Sequence, residues 1–164
     1  MNVVDHRGCE VSGAGPAALE DFARALDAFQ GWREGVEAPL ASALQEAPDF
    51  VMAHVLQAYR LVCSRDPRRL ALARPALARA AALPANGRER LHLAAIRALL
   101  EKDDFDAARA TLGEVLRCEP RDALALQAAH SLDYVSGDAR CMSERVAAVL
   151  PAWSQALPGR SWWW

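Results

Sequence analysis

Residues that favour strands are scarce in this chain. Aromatic side chains make up 7% of the 164 residues, and alanine and leucine far outnumber the β-branched types, a balance that favours helix over sheet. Lysine is nearly missing. Lys102 is the only one among 19 basic residues, and the arginine and alanine bias reads as G+C-rich coding rather than as function. Neither sign of charge is in large excess. A net charge of −2 and a pI near 6.1 exclude a general nucleic-acid binder, which needs a basic surface to displace counterions. The small basic clusters Arg65/Arg68/Arg69 and Arg88/Arg90 read as solvated helix ends. The four cysteines, Cys9, Cys63, Cys118 and Cys141, form no C-x-x-C pair, so neither zinc-ribbon nor thioredoxin chemistry is signalled. No apolar run approaches the ~20 residues of a membrane span. The opening MNVVDHRGCE has no basic stretch leading into an apolar one, as a secretory signal would. These absences lead us to expect a cytoplasmic protein with reduced thiols, no membrane association, no metal and no cofactor.

What is present is helical periodicity. Residues 1–15 carry Gly8, Gly13 and Gly15 and little pattern, which predicts a flexible N-terminal segment. From Pro16, well placed for a first helical turn, apolar residues recur at helical spacing through Leu19, Phe22, Leu26 and Phe29. Further helices are predicted at about 37–47, 50–64, 68–83, 87–101, 104–118, 121–136 and 138–150. Pro75 should kink or interrupt the one at 68–83. Stretch 50–64, FVMAHVLQAYRLVCS, is apolar on most sides and is expected to be well buried. Eight helices joined by short turns give about four antiparallel hairpins.

The hairpins repeat. Pro48, Pro84 and Pro120 recur every 36 residues, and His54, His92 and His130 every 38. Each histidine follows one of those prolines, at offsets of six, eight and ten. A helix–turn–helix unit of this period is what tetratricopeptide-type (TPR-type) solenoids show, because one hairpin cannot bury its own apolar face and needs a neighbour. In the best unit, 89–122, Ala108 falls at the small position where two helices approach closely, and Leu112 at the bulky position after it. The other units match less well. The predicted fold is therefore all-α: a TPR-like αα-hairpin solenoid with a right-handed superhelix over residues 16–158, followed by an aromatic tail at 159–164.

Four segments, APDFVMAHVLQAYRL, RERLHLAAIRAL, FDAARATLGEVLRCEPRDALALQAAHSLDYVSGD and VLPAWSQALPGRSW, resemble in order and spacing the tetratricopeptide repeat protein 38 family. The resemblance runs from about residue 17 to residue 162. It implies a TPR-like helical array with no established biochemical activity, of which this chain would match the N-terminal third to half. Where the family's chain would continue, this one stops in Trp162, Trp163 and Trp164, as expected of a truncated product or a short relative. Such aromatics are costly to leave in water. They fold back as a cap, mediate self-association or stay disordered.

No catalytic signature stands out. In such an array the first helix of each hairpin lines a concave groove, so His54, His92 and His130 are expected as a row along it. Gln57, Arg60, Glu89, Arg97, Gln127 and Tyr134 would add polar groups to the same surface. The plainer alternative is that each histidine is hydrogen-bonded between helices. Asp133 lies three residues beyond His130, on the same helix face, where a carboxylate beside an imidazole orients it and raises its pKa. Three readings follow: a scaffold binding a protein or peptide in the groove, a metal-dependent or His/Asp-based hydrolase using His92, His130 and Asp133, and a fragment without independent function. The first is the leading one, and the chain is read as a non-enzyme.

Overall fold

The computed structural model describes residues 3–64 and 66–153. The expectations for Arg65 and for Trp162, Trp163 and Trp164 lie outside the described residues. Eight α-helices account for most of them: α1 (Pro16–Gln30), α2 (Glu37–Glu46), α3 (Val51–Cys63), α4 (Pro67–Ala81), α5 (Gly87–Lys102), α6 (Phe105–Cys118), α7 (Ala123–Val135) and α8 (Ala139–Val149). The fold is an all-α helical repeat. Consecutive helices pair as hairpins, α1 with α2, α3 with α4, α5 with α6 and α7 with α8.

Local chemistry sets where the helices begin. The side chains of Asp66, Asn86, Asp104, Asp122 and Asp138 accept hydrogen bonds from the backbone N–H of Arg68, Glu89, Ala107, Ala125 and Cys141, respectively. Each cap satisfies a donor that the helix cannot, and its loss costs about 1 kcal/mol. Contrary to expectation, Pro75 does not interrupt α4. Pro75 and Ala71 both face outward, so the carbonyl deprived of its usual partner lies at the surface, where water can satisfy it.

Packing then sorts the helices. α3 and α7 each bury nine of 13 residues, and α1 touches both of them. α3 also meets α7. The inner surface expected to form an open concave groove is therefore largely occupied by the chain itself. Phe22 of α1 and Phe50 meet there with ring centroids 5.0 Å apart, within the range favoured by aromatic pairs. Ala108 and Leu112, the small and bulky positions of the best repeat, are both fully buried.

Residues 3–15 also depart from expectation. They are not a loose lead-in. Strands β1 (Val3–Val4) and β2 (Glu10–Val11) pair antiparallel, and Arg7, Cys9 and Val11 are buried. The hairpin lies over the N-terminal ends of α3 and α5, which supply partners that the local sequence lacks.

Leu112→Ala should destabilise the protein by roughly 2–5 kcal/mol, whereas Leu72→Ala, at a site 60% exposed, should stay within about 0.5 kcal/mol. Urea unfolding followed by circular dichroism checks both. Equal costs would contradict the packing described.

Candidate functional site

One large groove opens on the described surface, with a volume of about 1170 Å³. It lies at the C-terminal ends of the inner helices. Val62 and Cys63 of α3, Leu99 and Leu100 of α5, and His130, Leu132 and Val135 of α7 form its walls. Leu70 and Arg74 of α4, Phe105 of α6, Met142 of α8 and Trp32, just past α1, complete it. Its location follows from the packing: α3 packs on α5 and α6 on α7, but α5 and α7 make little contact, and the cleft lies between their ends. Polar groups edge it. Arg74 donates to the carbonyl of Leu100 at 2.7 Å, and Glu101, Lys102, Asp103 and Tyr134 stand nearby. Trp32 and Tyr134 are 71% and 73% exposed, unusually open for aromatics of that size.

Burial pushes the Cys63 thiol up to about 11. It is an apolar wall element there, not a nucleophile, since only the thiolate attacks. His130 also lines the groove. Its pKa is lowered by burial, with the Asp133 charge opposing and that of Arg145 adding to the shift. The expected rise beside Asp133 is thus reversed. The reason is that burial of the imidazole outweighs the Asp133 charge. Asp133 is itself fully buried and held by two arginines: Arg109 Nε donates to Oδ1 at 2.7 Å, and Arg145 Nε to Oδ2 at 2.8 Å. Arg109 also reaches Asp138, the cap of α8, at 2.6 Å. Asp133 therefore fastens α6, α7 and α8 together.

The three histidines form no row. Advancing two residues along a helix turns a side chain by about 200° and moves it ~3 Å, so offsets of six, eight and ten point them in different directions. His54, near the start of α3, meets the Pro48 carbonyl through Nε2 at 2.8 Å. His92 is fully buried. Only His130 reaches the groove. Among the other residues expected there, Tyr134 lines it. Gln127 is buried, Gln57 is half-buried on α3, and Arg97 is exposed and pairs with Glu101 at 3.7 Å. Arg60 instead pairs with Glu37, and Glu89 is buried in the cap of α5. Trp153 packs at the other end, donating from Nε1 to the Pro120 carbonyl at 2.8 Å. Cys118 is exposed.

The strongest polar constellation was not legible as such. His92 Nε2 lies 2.8 Å from Asp122 Oδ2, and its Nδ1 lies 3.3 Å from the Tyr59 hydroxyl. Arg88 Nη1 donates to the same Asp122 oxygen at 2.6 Å, so Arg88 is no solvated helix end. Burial alone would raise the pKa of Asp122, but His92 and Arg88 outweigh it and hold the carboxyl well below the usual carboxylate range. The cluster is sealed, and the nearby Cys9 thiol is pushed up to about 12 by burial and by the Asp5 and Asp122 charges, so it is no nucleophile and the cluster's chemistry is structural. Among the described residues, no group of His, Cys, Asp and Glu is arranged to hold a metal, and no helix is long and apolar enough to cross a membrane.

The depressed pKa of Asp122 means that its stabilisation is complete above about pH 4, its value in an unfolded chain, and fades as pH falls below that. Asp122→Ala should cost on the order of 3–5 kcal/mol near neutrality, because it strands buried partners. It should also flatten the loss of stability between pH 5 and about pH 3. Urea midpoints across that range check both, and parallel curves for the two proteins would contradict the assignment. A thiol titration at pH 8 should label Cys118 at least tenfold faster than Cys63, whose thiolate is scarce at that pH.

No protein-family model matches this chain, and no solved structure matches it.

Proposed function

We propose that this protein is a helical scaffold for protein–protein interaction and that its groove takes the apolar face of a partner helix. The observation that carries this reading is the groove itself. At about 1170 Å³ it exceeds the 300–1,000 Å³ typical of small-molecule sites. Its walls are apolar with polar groups at the edge, the arrangement that helix-in-groove recognition uses. A helix is roughly 10 Å across, and the parting of α5 from α7 leaves a cleft suited to such an element. Trp32 supports the same reading. Its φ of 50° lies in the left-handed region, uncommon for a bulky residue, and strain of this kind concentrates at functional positions.

The TPR-like character of the repeats, the resemblance to the tetratricopeptide repeat protein 38 family and a cytoplasmic setting belong to this proposal. A hydrolase is the weaker reading, because the carboxylate it would use, Asp133, is taken up by Arg109 and Arg145.

Selection of displayed 16-residue random peptides against the full chain provides the test. Recovered peptides should carry apolar residues at i, i+3 or i+4, and i+7. They should bind the wild type at least tenfold more tightly than Tyr134→Ala or Val135→Asp, two exposed positions whose substitution should leave circular dichroism unchanged. Failure to enrich any such peptide, or equal binding to all three proteins, would refute the reading.

A further inference from the structure

The groove has one charged side and one without charge. Its lining residues toward α1, α7 and α8, among them Trp32, His130, Tyr134 and Met142, include no carboxylate, lysine or arginine. The charges stand toward α4 and α5, as Arg74, Glu101, Lys102 and Asp103. On the α5 side they balance. Arg97 meets Glu101 at 3.7 Å, and Lys102 is followed by Asp103.

Helix α4 does not balance. Its 15 residues include Arg68, Arg69, Arg74 and Arg79 and no acidic residue, in a chain whose net charge is −2. All four are exposed. Among the described residues none of them stands in an ion pair, whereas arginines on six of the other helices do. Asp66, the carboxylate just before them, is engaged in capping α4 through the Arg68 N–H at 2.9 Å. Arg74 donates once, to the Leu100 carbonyl at 2.7 Å. That bond holds its guanidinium at the groove edge and leaves further donors of a fork that fits a carboxylate. Arg68 and Arg69 lie at the same end of α4, beside Pro67 and Leu70 of the groove wall. A shallower cleft between α4 and α5 shares Arg74 with the groove and continues it toward Ala78 and Ala81.

We propose that the partner helix is acidic: its apolar face fills the groove, and carboxylates along one edge pair with Arg68, Arg69 and Arg74. The proposal rests on the helix-binding reading above and adds the partner's charge and orientation. Only the α4 side offers uncompensated charge, so the acidic edge of the partner lies there, and a basic helix is turned away by like charge.

The same display selection on the full chain tests this. Recovered peptides should be enriched in Asp and Glu beside their apolar positions. Their affinity for the wild type should fall at least tenfold between about 50 and about 500 mM NaCl, because exposed ion pairs are screened. The triple variant Arg68→Glu/Arg69→Glu/Arg74→Glu should bind them at least tenfold more weakly, and should prefer the same peptides with every Asp and Glu changed to Lys. Apolar-patterned peptides that carry no excess of acid, or whose binding ignores salt, overturn this proposal and leave the helix-binding reading standing. No enriched peptide overturns both. If the triple variant does not fold, the salt response of the wild type decides. Wild-type chain that binds phosphatidylserine vesicles but enriches no acidic peptide would assign the arginines to a membrane surface and overturn the proposal.

Discussion

The carboxylate of Asp122 is the point through which the repeats are tied to one another. One of its oxygens caps α7, and the other receives Arg88 and His92 from α5. His92 extends the chain of contacts to Tyr59 on α3, and Arg88 extends it to Glu10 in the N-terminal hairpin. Four parts of the sequence thus depend on one buried anion. A lone charge there would be prohibitive. It persists because two cationic or polar partners and a helix N-terminus converge on it, and each of them is costly to strand in turn. Asp133 repeats the device farther along, where it gathers Arg109 and Arg145. Both anions sit on α7, one just before its first residue and the other near its last.

This arrangement gives the two ends of the inner helices opposite characters. At the N-terminal ends, polar side chains and helix caps form a network that also holds the hairpin. At the C-terminal ends, valine, leucine, phenylalanine and methionine dominate the walls beside Cys63 and His130, and α5 and α7 part. A solenoid ordinarily uses its concave face for binding. Here α1 lies against α3 and α7, and the large groove opens at the end of the array instead.

The helices were legible because they are set by local signals: apolar spacing, prolines at Pro48, Pro84 and Pro120, and Asp or Asn at the starts. The predicted spans agree with the observed ones to within about two residues, the ordinary uncertainty of helix ends. The site was less legible, because it depends on which way a side chain points after several turns of helix. His54, His92 and His130 share a period but drift by two positions per repeat, enough to send them to different surroundings. Trp32, Leu70, Phe105 and Met142 carry no sequence signal for a groove, since their convergence is a matter of tertiary packing. The N-terminal hairpin carried one short signal: Cys9 and Val11 are buried on either side of exposed Glu10, the spacing of a half-buried strand, and the glycines around them masked it.

The groove and the core each contain one methionine that can report on them, Met142 in the groove wall and Met52 at 1% exposure. The most direct measurement is a methyl NMR titration of the full chain, labelled at methionine, with an amphipathic helical peptide. The account predicts that the Met142 methyl resonance shifts in a saturable way while that of Met52 stays in place. A peptide that binds and leaves Met142 unmoved would place the interaction elsewhere and contradict the account.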